Sequence, residues 1–125
     1  ELDMIMQNSP IDVVQLKCSI LDPIDQLRKI RTKWPSLRII IYSIFEQGLL
    51  LNPTMQLTKS DQRHKNKQFS PSNRDRIRQD PRFNTPEQTK ANIQEWLIAL
   101  RNEFKLVDEI LIGVRTPDQL MGLMN

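Results

Sequence analysis

Polar side chains interrupt an apolar stretch near the start of the chain, in the sequence VVQLK. Alternate residues of a β-strand point to opposite faces, so Gln15 and Lys17 are predicted to share one face of a strand. The preceding stretch ELDMIM predicts another strand, on which Glu1 and Asp3 share a face. The residues QNSP between them favour a tight turn, because Asn tolerates turn geometry and Pro fixes its own backbone angle. A hairpin of this kind would bring an acid and the Gln/Lys pair to one side of a sheet.

The residue types on that predicted face suit metal-assisted hydrolysis of a phosphodiester. The carboxylate of Asp3 and the amide oxygen of Gln15 can hold a hard cation, Mg²⁺ or Mn²⁺, with several waters retained. The ammonium group of Lys17 can orient a water nucleophile or stabilise charge that develops on a phosphate. Asp3, Gln15 and Lys17 are therefore candidates for such chemistry. The alternative is an exposed strand face whose polar residues are simply solvated.

The elements that would position this face follow directly along the chain. In LDPIDQLRKIRTKWP, Asp22 is predicted to cap a helix that starts at Pro23 and stops before Pro35. The next run, LRIIIYSIF, is apolar on both faces and predicts a central strand covered by helices. The coarse order is β-β-α-β, a polar loop, then α-β-α.

Order is predicted to return after the polar loop, where Thr85 and Gln88 form a capping box around a helix start. One face of this helix is predicted to be apolar, formed by Ile93, Trp96, Leu97, Leu100 and Phe104. A strand at DEILIGV follows, and TPDQLMGLM predicts a last helix with Thr116 as its cap.

The positive charge of the chain is concentrated in the polar loop at about residues 52–83. Eight basic and three acidic residues give residues 52–82 a net charge of +5, whereas the net charge of the whole chain is +3. The basic residues are Lys59, Arg63, Lys65, Lys67, Arg74, Arg76, Arg78 and Arg82. Such a loop is long for a structureless connection, so it is a functional loop, a flexible linker or a series of short irregular helices. Its charge is the footprint expected for phosphate contacts, although charge runs are also common on solvated faces.

Composition excludes several other classes of protein. The chain of 125 residues has the length of one domain and is 38% hydrophobic. Three glycines exclude a P-loop or dinucleotide fingerprint, and one cysteine provides no disulfide framework, which is consistent with a cytoplasmic or nucleoid-associated protein. No apolar run approaches the roughly 18 residues of a membrane helix. The start at Glu1, inside a predicted strand, suggests that N-terminal elements of the core are missing.

The motifs ELD and VVQLK, followed by an amphipathic helix and an apolar strand, resemble the core of PD-(D/E)XK nucleases, which are restriction-endonuclease-like enzymes. A subset similar to Mrr-type enzymes has Gln in place of the second acid. This resemblance covers residues 1–45. It implies that Asp3 and Gln15 bind the metal, with Glu1 as an optional extra acid, and that Lys17 is the catalytic lysine. It also implies a mixed central sheet flanked by helices and a Mg²⁺-dependent deoxyribonuclease whose basic loop grips DNA.

Two other functions fit the same residues. The fold can serve as a catalytically inactive module that binds nucleic acid or an acidic protein through the basic loop. It can also be an assembly domain, as a homodimer or with a further chain that completes its sheet, because the chain begins inside a predicted strand.

Overall fold

The computed structural model of the protein describes residues 11–113. Glu1 and Asp3, the first predicted strand with its turn and the predicted helix from Thr116 lie outside the described residues. The described chain forms two compact units, residues 11–44 with 97–113 and residues 45–96. Among residues 11–113, no helix is both long enough and apolar enough to span a bilayer.

A parallel three-stranded sheet forms the first unit. Its strands are β1 (Val13–Lys17), β2 (Arg38–Tyr42) and β3 (Glu109–Ile110), in the order β1-β2-β3. Helix α1 (Asp25–Lys33) connects β1 to β2, as the crossover between parallel strands requires. The α/β class and the central position of β2 are confirmed. The mixed sheet depended on the strand predicted before residue 11, so it is not tested by the described residues.

The β-branched run of β2 explains its central position. Ile39 and Ile41 are completely buried and Ile40 is 8% exposed, so the strand is covered on both faces. Branched side chains pack well on a pleated sheet and lose little freedom there. The strand at DEILIGV is shorter than predicted, with only Glu109 and Ile110 paired in the sheet.

An ion pair and shared hydrogen bonds fix the ends of β2 and β3. The backbone N–H of Ile39 donates to Asp108 Oδ2 at 2.7 Å, and the N–H of Asp108 donates to the carbonyl of Ile39 at 2.8 Å. From α1, Arg31 donates to the same carboxylate at 2.9 Å and to the carbonyl of Leu37 at 2.6 Å. One guanidinium therefore ties the helix to two strands.

The start of α1 differs from the prediction. Asp22 does not cap the helix, because its carboxylate accepts the backbone N–H of Ser19 at 2.8 Å in the turn that precedes it. The helix begins at Asp25, after Ile24, with no side chain at its cap. Its end is as predicted, since the N–H of Trp34 still donates to the carbonyl of Ile30 and Pro35 follows.

The second unit, residues 45–96, consists mainly of short irregular helices. Helix α2 (Pro71–Gln79) lies among 3₁₀ turns at Glu46–Gly48, Gln62–Lys65, Lys67–Phe69 and Pro81–Phe83. Ser70 caps α2 by accepting the N–H of Asn73 at 3.3 Å, and Pro71 occupies the first helical position. The polar loop therefore contains a series of short irregular helices, as one of the predicted alternatives has it.

Helix α3 (Pro86–Ile98) begins in the second unit, and its last two residues belong to the first. Thr85 accepts the N–H of Gln88 at 3.1 Å, so the hydroxyl half of the predicted capping box is confirmed. Leu100 is buried as predicted, but Phe104 is 40% exposed. The prediction that Phe104 continues the apolar face is wrong, because the α-helix ends at Ile98 and Phe104 follows a π turn at Ala99–Glu103.

Candidate functional site

The alternation predicted along β1 is confirmed. Gln15 and Lys17 are exposed on one side of the strand, while Val14 and Leu16 on the other side are half-buried. The alternation does not continue to Ser19, which is buried, because the strand ends at Lys17 and the Ser19 hydroxyl accepts a backbone N–H in the following turn. The convergence of Asp3 with Gln15 and Lys17 involves a residue outside the described part of the chain.

The pairing of β1 with β2 shows which residues neighbour this face. Gln15 lies opposite Ile40 and Lys17 lies opposite Tyr42, whose side chain is 40% exposed. Lys17 is also the last residue of β1, at the carboxyl edge of the sheet. In open parallel sheets this is the edge outside which ligands bind. The geometry therefore gives Lys17 an accessible and chemically favourable position.

Glu109 is an acid on the same sheet face that the sequence interpretation missed. It pairs with Ile40, which in turn pairs with Gln15, so the three residues form one row across the sheet. Two strand spacings separate the backbones of Gln15 and Glu109 by about 10 Å. The carboxylate of Glu109 is held in an ion pair by Arg38 on β2. No local sequence signal could show this, because the register brings together residues far apart in the chain.

The described residues do not fit a Mg²⁺ site by themselves. Within residues 11–113 no group of three or more His, Cys, Asp or Glu side chains is arranged to hold a metal ion. Gln15 offers one neutral oxygen, and Glu109 is engaged with Arg38. The predicted metal ligands Glu1 and Asp3 lie outside this range, so the described part of the chain supports no step through a metal.

Three arginines of the basic loop are paired with the three acids of the same loop. Arg63 binds the carboxylate of Asp61, with 2.7 Å between Nη2 and Oδ2, and Arg82 binds Asp80 at the same distance. Arg78 forms an ion pair with Asp75 on α2. The side-chain hydrogen bond from Arg82 outweighs partial burial and lowers the pKa of Asp80. Each of these three pairs has a net charge of zero. The net charge of the loop is therefore carried by its other cations.

Arg74 serves the fold of the second unit. It donates to the carbonyls of Met55 at 2.7 Å, Pro53 at 3.3 Å and Phe69 at 3.3 Å. Its guanidinium carbon also lies 5.4 Å from the centre of the Phe69 ring, and that of Arg63 lies 5.5 Å from it. Arg74 is half-buried, and its contacts join α2 to the chain segment before it.

Four other cations of the loop are exposed and unpaired within the described residues. The structure shows no hydrogen bond or ion pair from their side chains to any other described residue. They are Lys59, Lys65, Lys67 and Arg76. The positive charge of Arg76 contributes to the low pKa of Asp80, but no ion pair joins the two. The exposed charge of the second unit is thus carried mainly by lysines, which the sequence alone did not distinguish from the arginines.

A buried polar network positions the turns that carry two of these lysines. The carboxylate of Glu46, which is 7% exposed, accepts from Gln68 Nε2 at 2.6 Å. Gln68 in turn contacts Gln47, whose side-chain oxygen accepts from Asn66 at 3.2 Å. Glu46 and Gln47 have positive φ angles of 52° and 57°, which non-glycine residues adopt only when the surroundings hold them there. The network anchors Asn66, which separates Lys65 from Lys67.

Comparison with known proteins gives no match. No protein-family model, curated protein or solved structure is similar enough to this chain to assign it to a family.

Proposed function

We propose that the protein binds nucleic acid through phosphate contacts made by the exposed cations of its second unit. The observation that supports this proposal is the separation of the basic residues into a group engaged by acids or carbonyls and a group of exposed cations that have no such partner among the described residues. Lys59, Lys65, Lys67 and Arg76 face solvent without an acidic partner among the described residues. Such cations release the counterions that are condensed on a nucleic acid, which is the main source of sequence-independent affinity.

The charge balance of the chain favours the same partner. Residues 52–82 carry a net charge of +5, whereas the rest of the chain has ten basic and twelve acidic residues. A local excess of one sign raises the local concentration of oppositely charged ligands and speeds their association. A polyanion is therefore attracted to residues 52–82 rather than to the rest of the chain.

The test measures binding of the whole chain to a short DNA duplex by fluorescence anisotropy at low salt. K67A should weaken binding several-fold, because it removes one phosphate contact. K29A is the matched control, since Lys29 is an exposed lysine on α1 outside the basic loop. Equal losses of affinity in K67A and K29A would show that only the net charge matters and would contradict the proposed surface.

Hydrolysis of DNA by a PD-(D/E)XK-like site is the second candidate function, and one observation favours it. Gln15 and Lys17 are exposed on one face of β1, with Lys17 at the carboxyl edge of the sheet. This candidate requires a restriction-endonuclease-like core. It also requires Mg²⁺ or Mn²⁺ bound by Asp3, Gln15 and Glu1.

Nicking of supercoiled plasmid in the presence of Mg²⁺ tests this candidate. The wild type should nick, whereas D3A, Q15A and K17A should each lose most of the activity and retain the circular dichroism spectrum of the wild type. K29A should remain active. An inactive wild type that still binds DNA would leave the protein as a binding module.

A further inference from the structure

We infer that the second unit grips duplex DNA through the four exposed cations alone, without base stacking and without sequence readout. This inference rests on the proposed function and specifies its mode of binding. It follows from which basic side chains are already engaged, where the aromatic rings lie, and which kinds of cation are left exposed.

The paired arginines contribute little to phosphate binding. Arg63, Arg78 and Arg82 each face a carboxylate of the same loop, so each pair is neutral before DNA arrives. A phosphate that displaced the carboxylate would gain a contact and leave an aspartate beside the DNA backbone. The number of counterions released would then change little, because the charge of the pair is unchanged.

Arg74 is not expected to contact DNA, because its guanidinium group is already engaged within the second unit. Its guanidinium already donates to three backbone carbonyls and stacks on Phe69. Turning it toward a phosphate would leave those half-buried carbonyls without a donor, at a cost that one exposed phosphate contact does not recover.

The second unit has no fully exposed aromatic ring among its described residues, since Phe45 and Trp96 are half-buried and its two other rings are buried. Phe69 is 8% exposed and Phe83 is 7% exposed, with Arg82 packed over the ring of Phe83 at 5.2 Å. No Phe, Tyr or Trp side chain in residues 45–96 is among the exposed large hydrophobic residues. Proteins that bind single strands without sequence preference usually stack bases on aromatic rings. A surface that has cations but lacks such rings should bind a duplex more tightly than a single strand, because the duplex has the higher density of phosphate charge.

Sequence readout is disfavoured by the type of the exposed cations. Three of the four are lysines, which act as mobile point charges. Specific recognition of guanine in the major groove mainly uses the planar two-pronged donor of arginine. Only Arg76 offers that group, so contacts with the backbone should dominate and affinity should be similar for unrelated duplexes.

The experiment measures the affinity of the whole chain for DNA over a range of salt concentrations. Four phosphate contacts predict a slope of log K against log salt of about −3.6, whereas eight would predict about −7. A fourfold rise in salt should therefore lower affinity about 150-fold rather than about 10⁴-fold. Two duplexes of unrelated sequence should give the same slope, and a single strand of equal length should bind more weakly.

Two variants identify the contributing side chains. K65A/K67A should reduce the magnitude of the slope by about 2, because it removes two contacts. R78A should leave the slope unchanged, and thermal melting of each variant confirms that it is folded. Three results would overturn the inference while leaving nucleic-acid binding intact. They are a slope near −7, a decrease in the magnitude of the slope in R78A equal to the decrease per lysine, and tighter binding to the single strand. Absence of binding to any nucleic acid at low salt, or equal affinity for polyglutamate, would overturn the proposed function as well.

Discussion

At the scale of single residues, chemically similar side chains have different roles. The role of each depends on the groups with which it forms hydrogen bonds or ion pairs. Arg74 and Arg76 are two positions apart on α2, but Arg74 donates to backbone carbonyls and Arg76 faces solvent. Asp108 and Glu109 are adjacent acids. Asp108 binds the N–H of Ile39 and the guanidinium of Arg31, whereas Glu109 lies in the row of Gln15 and Ile40 and pairs with Arg38. The residue type alone predicts neither role.

Replacement of Arg74 should destabilise the protein, and replacement of Arg76 should not. R74A removes the donor from three carbonyls and the cation from the Phe69 ring, so we expect a loss of about 2–3 kcal/mol in the free energy of unfolding. R76A removes an exposed side chain and should change stability by less than about 0.5 kcal/mol. Urea denaturation of both variants measures the difference, and equal stabilities would contradict the structural role of Arg74.

Asp108 should make stability depend on pH. Partial burial alone would raise the pKa of its carboxyl group, but the N–H of Ile39 and the Arg31 guanidinium more than offset it and hold the pKa below the ordinary value of 3.8. The carboxylate therefore stabilises the fold at pH values above the pKa of the unfolded chain. This stabilisation is lost as the pH falls through the lower pKa of the folded state.

The variant D108N measures that contribution. At neutral pH it should be less stable than the wild type by about 1 kcal/mol, because the hydrogen bonds to a charged acceptor weaken. The difference should shrink as the pH is lowered below about 4, when the carboxyl group of the unfolded wild type becomes protonated. Asp80, whose pKa is also lowered, is present in both proteins and cancels in the comparison. A difference that stays constant down to pH 2 would contradict the assigned interaction.

At the scale of elements, local sequence patterns determined what could be predicted. The alternation in VVQLK, the apolar run of β2 and the cap at Thr85 each depend on residues close together in the chain, and all three are confirmed. The position of Glu109 beside Arg38 depends on the register between strands that are distant in sequence. The π turn after Ile98 and the engagement of Asp22 with Ser19 depend on tertiary packing and on competing local hydrogen bonds.

The basic loop shows the same limit. Its arginines and aspartates lie two or three positions apart, a spacing that permits pairing but does not require it. The structure pairs Arg63 with Asp61, Arg78 with Asp75 and Arg82 with Asp80, while the lysines are left exposed. The net charge of the loop could be predicted from the sequence. Which basic side chains are paired within the fold and which face solvent could not.

The cap of α2 is an element that can be tested separately. S70A removes the hydroxyl that accepts the N–H of Asn73, and it should lower stability by about 1 kcal/mol. S60A is a suitable control, because Ser60 is exposed and does not cap a helix of the described chain. Thermal melting should show a lower midpoint for S70A than for S60A, and equal midpoints would show that Pro71 alone defines the helix start.

At the scale of the whole molecule, each unit presents a different kind of surface. The first unit presents the exposed side chains of Gln15, Lys17 and Tyr42 on one face of its sheet, and the second presents exposed cations on short helical turns. The proposed binding function depends on the second unit alone, and the proposed hydrolysis depends on the first. Variants of Gln15 or Lys17 should therefore impair cleavage and leave binding of DNA intact.

The most direct test compares two double variants that remove the same charge from the same loop. K65A/K67A removes two exposed lysines, and R78A/R82A removes two arginines that are paired with Asp75 and Asp80. If exposed cations make the phosphate contacts, K65A/K67A should lose most of the affinity for a DNA duplex at low salt. R78A/R82A should lose clearly less. Equal losses in the two variants would mean that net charge, rather than the division found in the structure, determines binding, and would contradict the proposed surface.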